Sequence, residues 1–161
     1  MIRPGPRSIC ILICCAVAAT ATPGIGAPPS AAGAPHAAAA DGDARAITVR
    51  RSRFGRVIFD GRGRALYLFT RERSARPRCY GACADAWPPF LVERRPRAGS
   101  GARGSLIGTT RRRDGTRQAT YRGHPLYFYV GDTQPGQILC QDVFEFGGSW
   151  LVVSPRGRAV R

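Results

Sequence analysis

Lysine is absent from this chain: all 25 basic residues are arginine. Schiff-base and other lysine-centred catalysis is therefore excluded. Histidine is scarce, with two in 161 residues, and only His124 falls where the sequence looks able to fold. No His-Glu-x-x-His motif and no Gly-x-Ser-x-Gly elbow accompanies it, so the common hydrolytic constellations are missing. No phosphate-binding loop or dinucleotide fingerprint occurs, and neither does a Cys-x-x-Cys redox motif or a Cys-x-x-Cys-His haem attachment site. No apolar run is long enough to span a bilayer as a helix. Residues 47–161 show no sustained helical period.

The N-terminal residues read as an export signal. Arg3 and Arg7 precede an apolar run from Ile9 to Ala19, and Ala19-Thr20-Ala21 offers a small-x-small cleavage pattern. Residues 1–21 are therefore expected to be a signal peptide. Leu12-Ile13-Cys14 is a poor context for lipid attachment at Cys15, so free secretion or loose envelope association is favoured over a lipid anchor there. Residues 22–46 are nearly all Ala, Pro, Gly and Ser without apolar periodicity, the composition of a disordered tether. The fold is expected over residues 47–157, about 110 residues and enough for one modest core, with a frayed basic tail at 158–161.

The charge is strongly of one sign, +15 for the whole chain. Loss of Arg3 and Arg7 leaves 23 arginines against 10 acids, or +13. Such an excess favours anionic partners, namely acidic envelope polymers or a membrane surface, without implying specific nucleic-acid recognition.

Within the fold, short aromatic and β-branched runs alternate with turn residues. Arg56–Asp60 and Ala65–Thr70 flank Gly61-Arg-Gly63, which predicts a hairpin. Arg113-Asp-Gly115 between Ser105–Thr110 and Thr116–Tyr121 predicts another. Leu126–Val130 and Ser149–Val153 read as further strands. Residues 94–104 read as a mobile basic loop. Leu66 and Leu68 share one face of their run while Tyr67 and Phe69 share the other, so both faces are apolar. Trp87-Pro-Pro89 bars a central strand, leaving Trp87 to enter the core from an edge or loop. The expected class is all-β: a small, internally duplicated meander or sandwich of short antiparallel strands with long loops.

The duplication is visible in the sequence. Ala65-Leu-Tyr-Leu-Phe-Thr-Arg-Glu72 lines up with Pro125-Leu-Tyr-Phe-Tyr-Val-Gly-Asp132, each followed by a cysteine (Cys79, Cys140) and then a tryptophan (Trp87, Trp150). The repeats run over about 54–92 and about 116–154, and the two halves are expected to pack on one another about an approximate two-fold through a shared aromatic interior. These residues resemble the secreted-repeat lipoproteins of unknown function, bacterial envelope proteins with a Tyr-x-(Phe/Trp/Tyr)-x-x-Asp motif. Tyr127, Tyr129 and Asp132 match it fully; Tyr67 and Phe69 match, with Glu72 where Asp is expected. Cys79-Tyr-Gly-Ala-Cys-Ala-Asp-Ala-Trp-Pro-Pro89 is similar to the family's Cys-x-x-x-Cys-Ala-x-x-Trp-Pro-Pro signature, and Asp114-Gly115, Gln118 and Tyr121-x-Gly-x-Pro-Leu-Tyr127 also fit. The resemblance covers roughly residues 50–157 and implies an envelope location without an agreed activity.

Among Cys79, Cys83 and Cys140, spacing alone leaves every pairing open. A Cys79–Cys83 loop stabilises by about 2 kcal/mol and a bridge to Cys140 by about 4 on the chain-entropy model. The signature treats Cys79 and Cys83 as a unit, which implies that pairing, with Cys140 left over or as an alternative partner. Glu72 and Asp132 are expected to cap loops by accepting backbone N–H bonds; a hydrolase built on Asp132 is the weaker reading. The expected function is a non-enzymatic binding or structural module without a cofactor. The alternative is a zinc or copper(I) site, or a thiol-redox site, using Cys79, Cys83, Cys140 and His124.

Overall fold

The computed structural model describes residues 43–161. The expected signal peptide, Cys15 and most of the tether lie outside the described residues. The fold is all-β, in three small sheets. β1 (Ala46–Ser52) and β2 (Gly55–Asp60) form an antiparallel hairpin that turns through Arg53-Phe54 into Gly55, whose φ of +84° suits glycine. β3 (Tyr67–Phe69) follows, then a one-turn helix α1 (Ala82–Ala86) and the short strand β4 (Arg97–Ala98). A 3₁₀ turn at Gly104–Leu106 leads into β5 (Ile107–Arg111), which pairs with β6 (Arg117–Tyr121) around Asp114-Gly115 as expected. β7 (His124–Pro125) continues that sheet. β8 (Val143–Glu145) and β9 (Gly148–Val152) form the last hairpin. The sheet orders are β2-β1-β4, β3-β9-β8 and β5-β6-β7.

Alternation along the strands delivers side chains to two separate cores. Tyr67 and Phe69 enter one cluster with Val57, Phe59, Trp87, Tyr127, Trp150 and Val152. Leu66 and Leu68 enter the other with Ile58, Leu126, Phe128, Leu151 and Val153. The apolar runs are thus buried on both faces, and this is why they read as nearly continuous rather than alternating.

The two tyrosine segments meet back to back. Tyr67 N–H donates to Tyr127 O at 2.9 Å, and Tyr127 N–H donates to Tyr67 O at 3.0 Å. Around this antiparallel bridge the rings form one column. Phe69 stacks on Trp150 at 4.2 Å, Trp150 on Trp87 at 4.2 Å, and Trp87 meets Tyr129 at 4.8 Å. Tyr67 and Tyr127 stand edge-on to Trp87 and Trp150, each at 5.2 Å. Each half therefore contributes alternate rings to a column that neither completes alone. The symmetry is incomplete: Trp87 Nε1 donates to Glu145 Oε2 at 2.9 Å, whereas Trp150 Nε1 has no hydrogen-bond partner among the described residues.

Several expectations are corrected. Leu126–Val130 is not a regular strand; it is an extended segment held by single bridges from Tyr127 to Tyr67 and Pro89, because its hydrogen bonds are divided among β3, β6 and the Pro88–Phe90 segment and no continuous ladder forms. The hairpin expected between residues 56–60 and 65–70 keeps only the Phe59–Ala65 bridge and its flanking bonds, since β3 leaves to pair with β9. Residues 94–104 are not a loose loop: β4 pairs parallel with β1, Gly99 N–H donates to Ile47 O, and Val49 N–H donates to Ser100 O. The tail does not fray before its end, because Val153 bridges Ala159 and Val160 N–H donates to Val152 O. Polar composition reports side-chain solvation and says nothing about an edge strand's unpaired amides, and both segments dock by pairing with them.

Trp87→Ala should destabilise the fold by about 3–5 kcal/mol, read from urea unfolding. The truncation removes a ring from the middle of the column and leaves Trp150 and Tyr129 without their shared neighbour.

Candidate functional site

The carboxylates of Glu72 and Asp132 cross between the halves. Tyr67 O–H donates to Asp132 Oδ2 at 2.5 Å, and Tyr127 O–H donates to Glu72 Oε1 at 2.6 Å. Each tyrosine binds the acid of the other repeat. Each acid also caps its own loop: Asp132 Oδ1 accepts from Leu139 N–H at 2.9 Å, and Glu72 Oε1 from Arg78 N–H at 2.6 Å. The expected capping is present; the tyrosine hydroxyls are what spacing does not disclose. Glu72 reaches Tyr127 as Asp132 reaches Tyr67. Both oxygens of Asp132 are engaged in these bonds, whereas the buried Oε2 of Glu72 has no hydrogen-bond partner among the described residues.

Both acids are buried, Glu72 being 2 % exposed and Asp132 7 %. Burial is the main influence and raises both carboxyls above their ordinary range, against the lowering effect of the tyrosine and amide hydrogen bonds. Tyr67 and Tyr127 are raised in turn, first by burial and then by the neighbouring carboxylates.

Cys79 and Cys83 form a disulfide with Cα atoms 5.3 Å apart. Cys140, also buried in the aromatic cluster, is partner to neither, and it does not stand as an odd thiol. The Cys₃His set is not assembled, because the sulfurs of Cys79 and Cys83 are committed to each other. Among the described residues no three His, Cys, Asp or Glu side chains are grouped to hold a metal ion. His124 lies on β7 beside a cavity of about 390 Å³ that Arg73, Arg122 and Arg158 also line. Burial, and then Arg122, lower its pKa.

Arg112 is not singled out by any sequence pattern, yet it is the one buried arginine among those described. It donates to Gln118 Oε1 at 2.7 Å and to Cys79 O at 2.8 Å, tying the disulfide loop to the β5–β6 hairpin. Gln118 Nε2 passes the tie on to Leu126 O at 2.7 Å. Gln118, on the buried side of β6 with Thr120 between the core residues Ala119 and Tyr121, is the one available signal.

The remaining 22 described arginines are all exposed, and three of them (Arg45, Arg64, Arg97) have a carboxylate partner, which leaves 19 without one among the described residues. Meanwhile Asp60, Glu72 and Asp132 are buried. The surface is therefore more basic than the net charge alone indicates.

Residues 108–154 match the family model described as a secreted repeat of unknown function. The match begins in β5 and ends just beyond β9, so it contains the second tyrosine segment, Asp132 and Trp150. The expected resemblance to the secreted repeats is borne out over this segment, and the family's description agrees with an extracellular or envelope location. The first tyrosine segment, although it exchanges bonds with the second, lies outside the matched residues. No curated protein and no solved structure matches the chain.

Tyr127→Phe should cost about 1–3 kcal/mol, because a buried carboxylate oxygen loses a donor. Unfolding at fixed pH checks this. Raised carboxyls make the folded chain hold protons that the unfolded chain has already released, so stability falls as pH rises from about 4 through the raised values. Urea unfolding across that interval should show the decline, and Asp132→Asn should flatten it.

Proposed function

We propose that this chain is a non-enzymatic exported domain that holds anionic polymers of the cell envelope against its arginine surface. The observation that carries this reading is the sorting of charge. Three acids are buried, while 19 exposed arginines lack a carboxylate partner among the described residues. Arginine's planar fork pairs with phosphate and carboxylate bidentately and keeps its charge at any physiological pH. The interior supports a scaffold role: an aromatic column and reciprocal tyrosine–carboxylate bonds make a rigid body on which surface cations keep their places. The secreted-repeat match supports the location in which such polymers occur.

Binding to poly(glycerol phosphate) and to polygalacturonate, with neutral dextran as control, tests the reading. Either polyanion should bind and dextran should not. Affinity should fall by about tenfold or more between about 50 mM and 500 mM salt, as screening shortens the reach of exposed charges. Absence of polyanion binding at low salt, or binding indifferent to salt, would overturn it.

A further inference from the structure

Arg51 lies directly opposite Arg56 on the β1–β2 ladder, and Arg111 lies directly opposite Arg117 on the β5–β6 ladder. All four are exposed, and among the described residues none makes an ion pair. Like charges directly opposite on an antiparallel pair are destabilising, because the Cβ atoms are held about 4.5–5.5 Å apart on one face.

The two pairs occupy equivalent places. Leu66 N–H donates to Ile58 O and Leu126 N–H donates to Ala119 O, which makes Ile58 and Ala119 counterparts. Arg56 and Arg117 each stand two residues before them, at the ends of β2 and β6 nearest the hairpin turns. Each arginine pair shares a face with the core pairs one step further in, Val49–Ile58 and Ile47–Asp60 in one hairpin, Thr109–Ala119 and Ile107–Tyr121 in the other. A repulsive arrangement is thus present in both halves of the fold, at the ends of rigid ladders.

Resting on the function proposed above, we propose that each arginine pair is a clamp for one oxyanion of a repeating polymer, so that one chain grips two units of the same strand. Two guanidinium forks projecting from one face of a ladder can bracket a phosphodiester or a carboxylate from two sides, and the bound anion removes the repulsion between them. Paired sites on one body give avidity toward a polymer that a single charged unit does not receive.

The test compares R51Q/R56Q, R111Q/R117Q and the quadruple variant with R62Q/R103Q, which removes the same charge from exposed arginines that do not face each other across a ladder. Binding is measured to poly(glycerol phosphate) and to polygalacturonate, and the stronger response identifies phosphodiester or carboxylate as the preferred anion. Each pair variant should lose about tenfold in affinity, the control about twofold or less, and the quadruple variant more than either pair. Pair variants that behave like the control would overturn the clamps while leaving general polyanion binding intact. A wild-type chain that binds neither polymer defeats the underlying reading instead. A second readout needs no ligand: R56Q and R117Q should each raise the thermal midpoint at low salt, and the gain should shrink as salt screens the pair. An unchanged or lowered midpoint means that no repulsion is present, and the proposal fails.

Discussion

Tyr67 and Tyr127 meet at the point on which the rest of the molecule depends. Their backbones exchange two hydrogen bonds, and their hydroxyls reach across to the carboxylates of opposite halves. Because each acid also caps the loop of its own half, breaking one contact loosens two elements at once. The ring column lies against this crossing, with Trp87 and Trp150 stacked at its centre. Aromatic pairs of this kind add about 0.5–1.5 kcal/mol each beyond their buried area. Together they make the halves mutually necessary, since neither half contains a complete column or the tyrosine that its own carboxylate binds.

The same crossing shapes the surface. Two acids are drawn into the interior by the tyrosines, and Asp60 is buried beside Arg64. Of these three acids only Asp60 pairs with an exposed arginine; Glu72 and Asp132 are committed to tyrosine hydroxyls and backbone amides. The one arginine taken into the interior, Arg112, satisfies the disulfide loop and Gln118 rather than a buried acid. The interior's hydrogen-bonding needs and the exterior's cationic character are therefore two sides of one distribution of charge. Arginines carried on paired strands suit recognition of repeated anions better than a flexible basic tail would, because less backbone entropy is lost on binding.

Much of the architecture is legible in the residues themselves. The Asp114-Gly115 hairpin follows from local turn chemistry, and the double-faced apolar runs follow from period-two alternation. The Cys79–Cys83 bridge is favoured through family likeness, and Trp87 is expected in the core from a loop because prolines follow it. The misjudged segments share a cause. Residues 94–104 and the C-terminal tail look loose because their side chains are polar, yet both dock through backbone amides that composition does not report. Leu126–Val130 looks like a strand because its residues favour one, but its hydrogen bonds are divided among three neighbours and form no continuous ladder. The metal alternative counts Cys79, Cys83, Cys140 and His124 as ligands, and nothing in their spacing reveals that two of the sulfurs are joined to each other.

Residue order alone determined the all-β class, the duplication, the lysine-free basic excess and the alternation that sends Tyr67 and Phe69 one way and Leu66 and Leu68 the other. These are properties of neighbours a few positions apart. Only the tertiary structure decided that Tyr67 would find Asp132 65 positions away, that Tyr127 would find Glu72 55 positions away, and that Arg51 and Arg111 would each face another arginine. Partner choice over such separations is set by which surfaces pack and in what register, and a linear pattern carries neither.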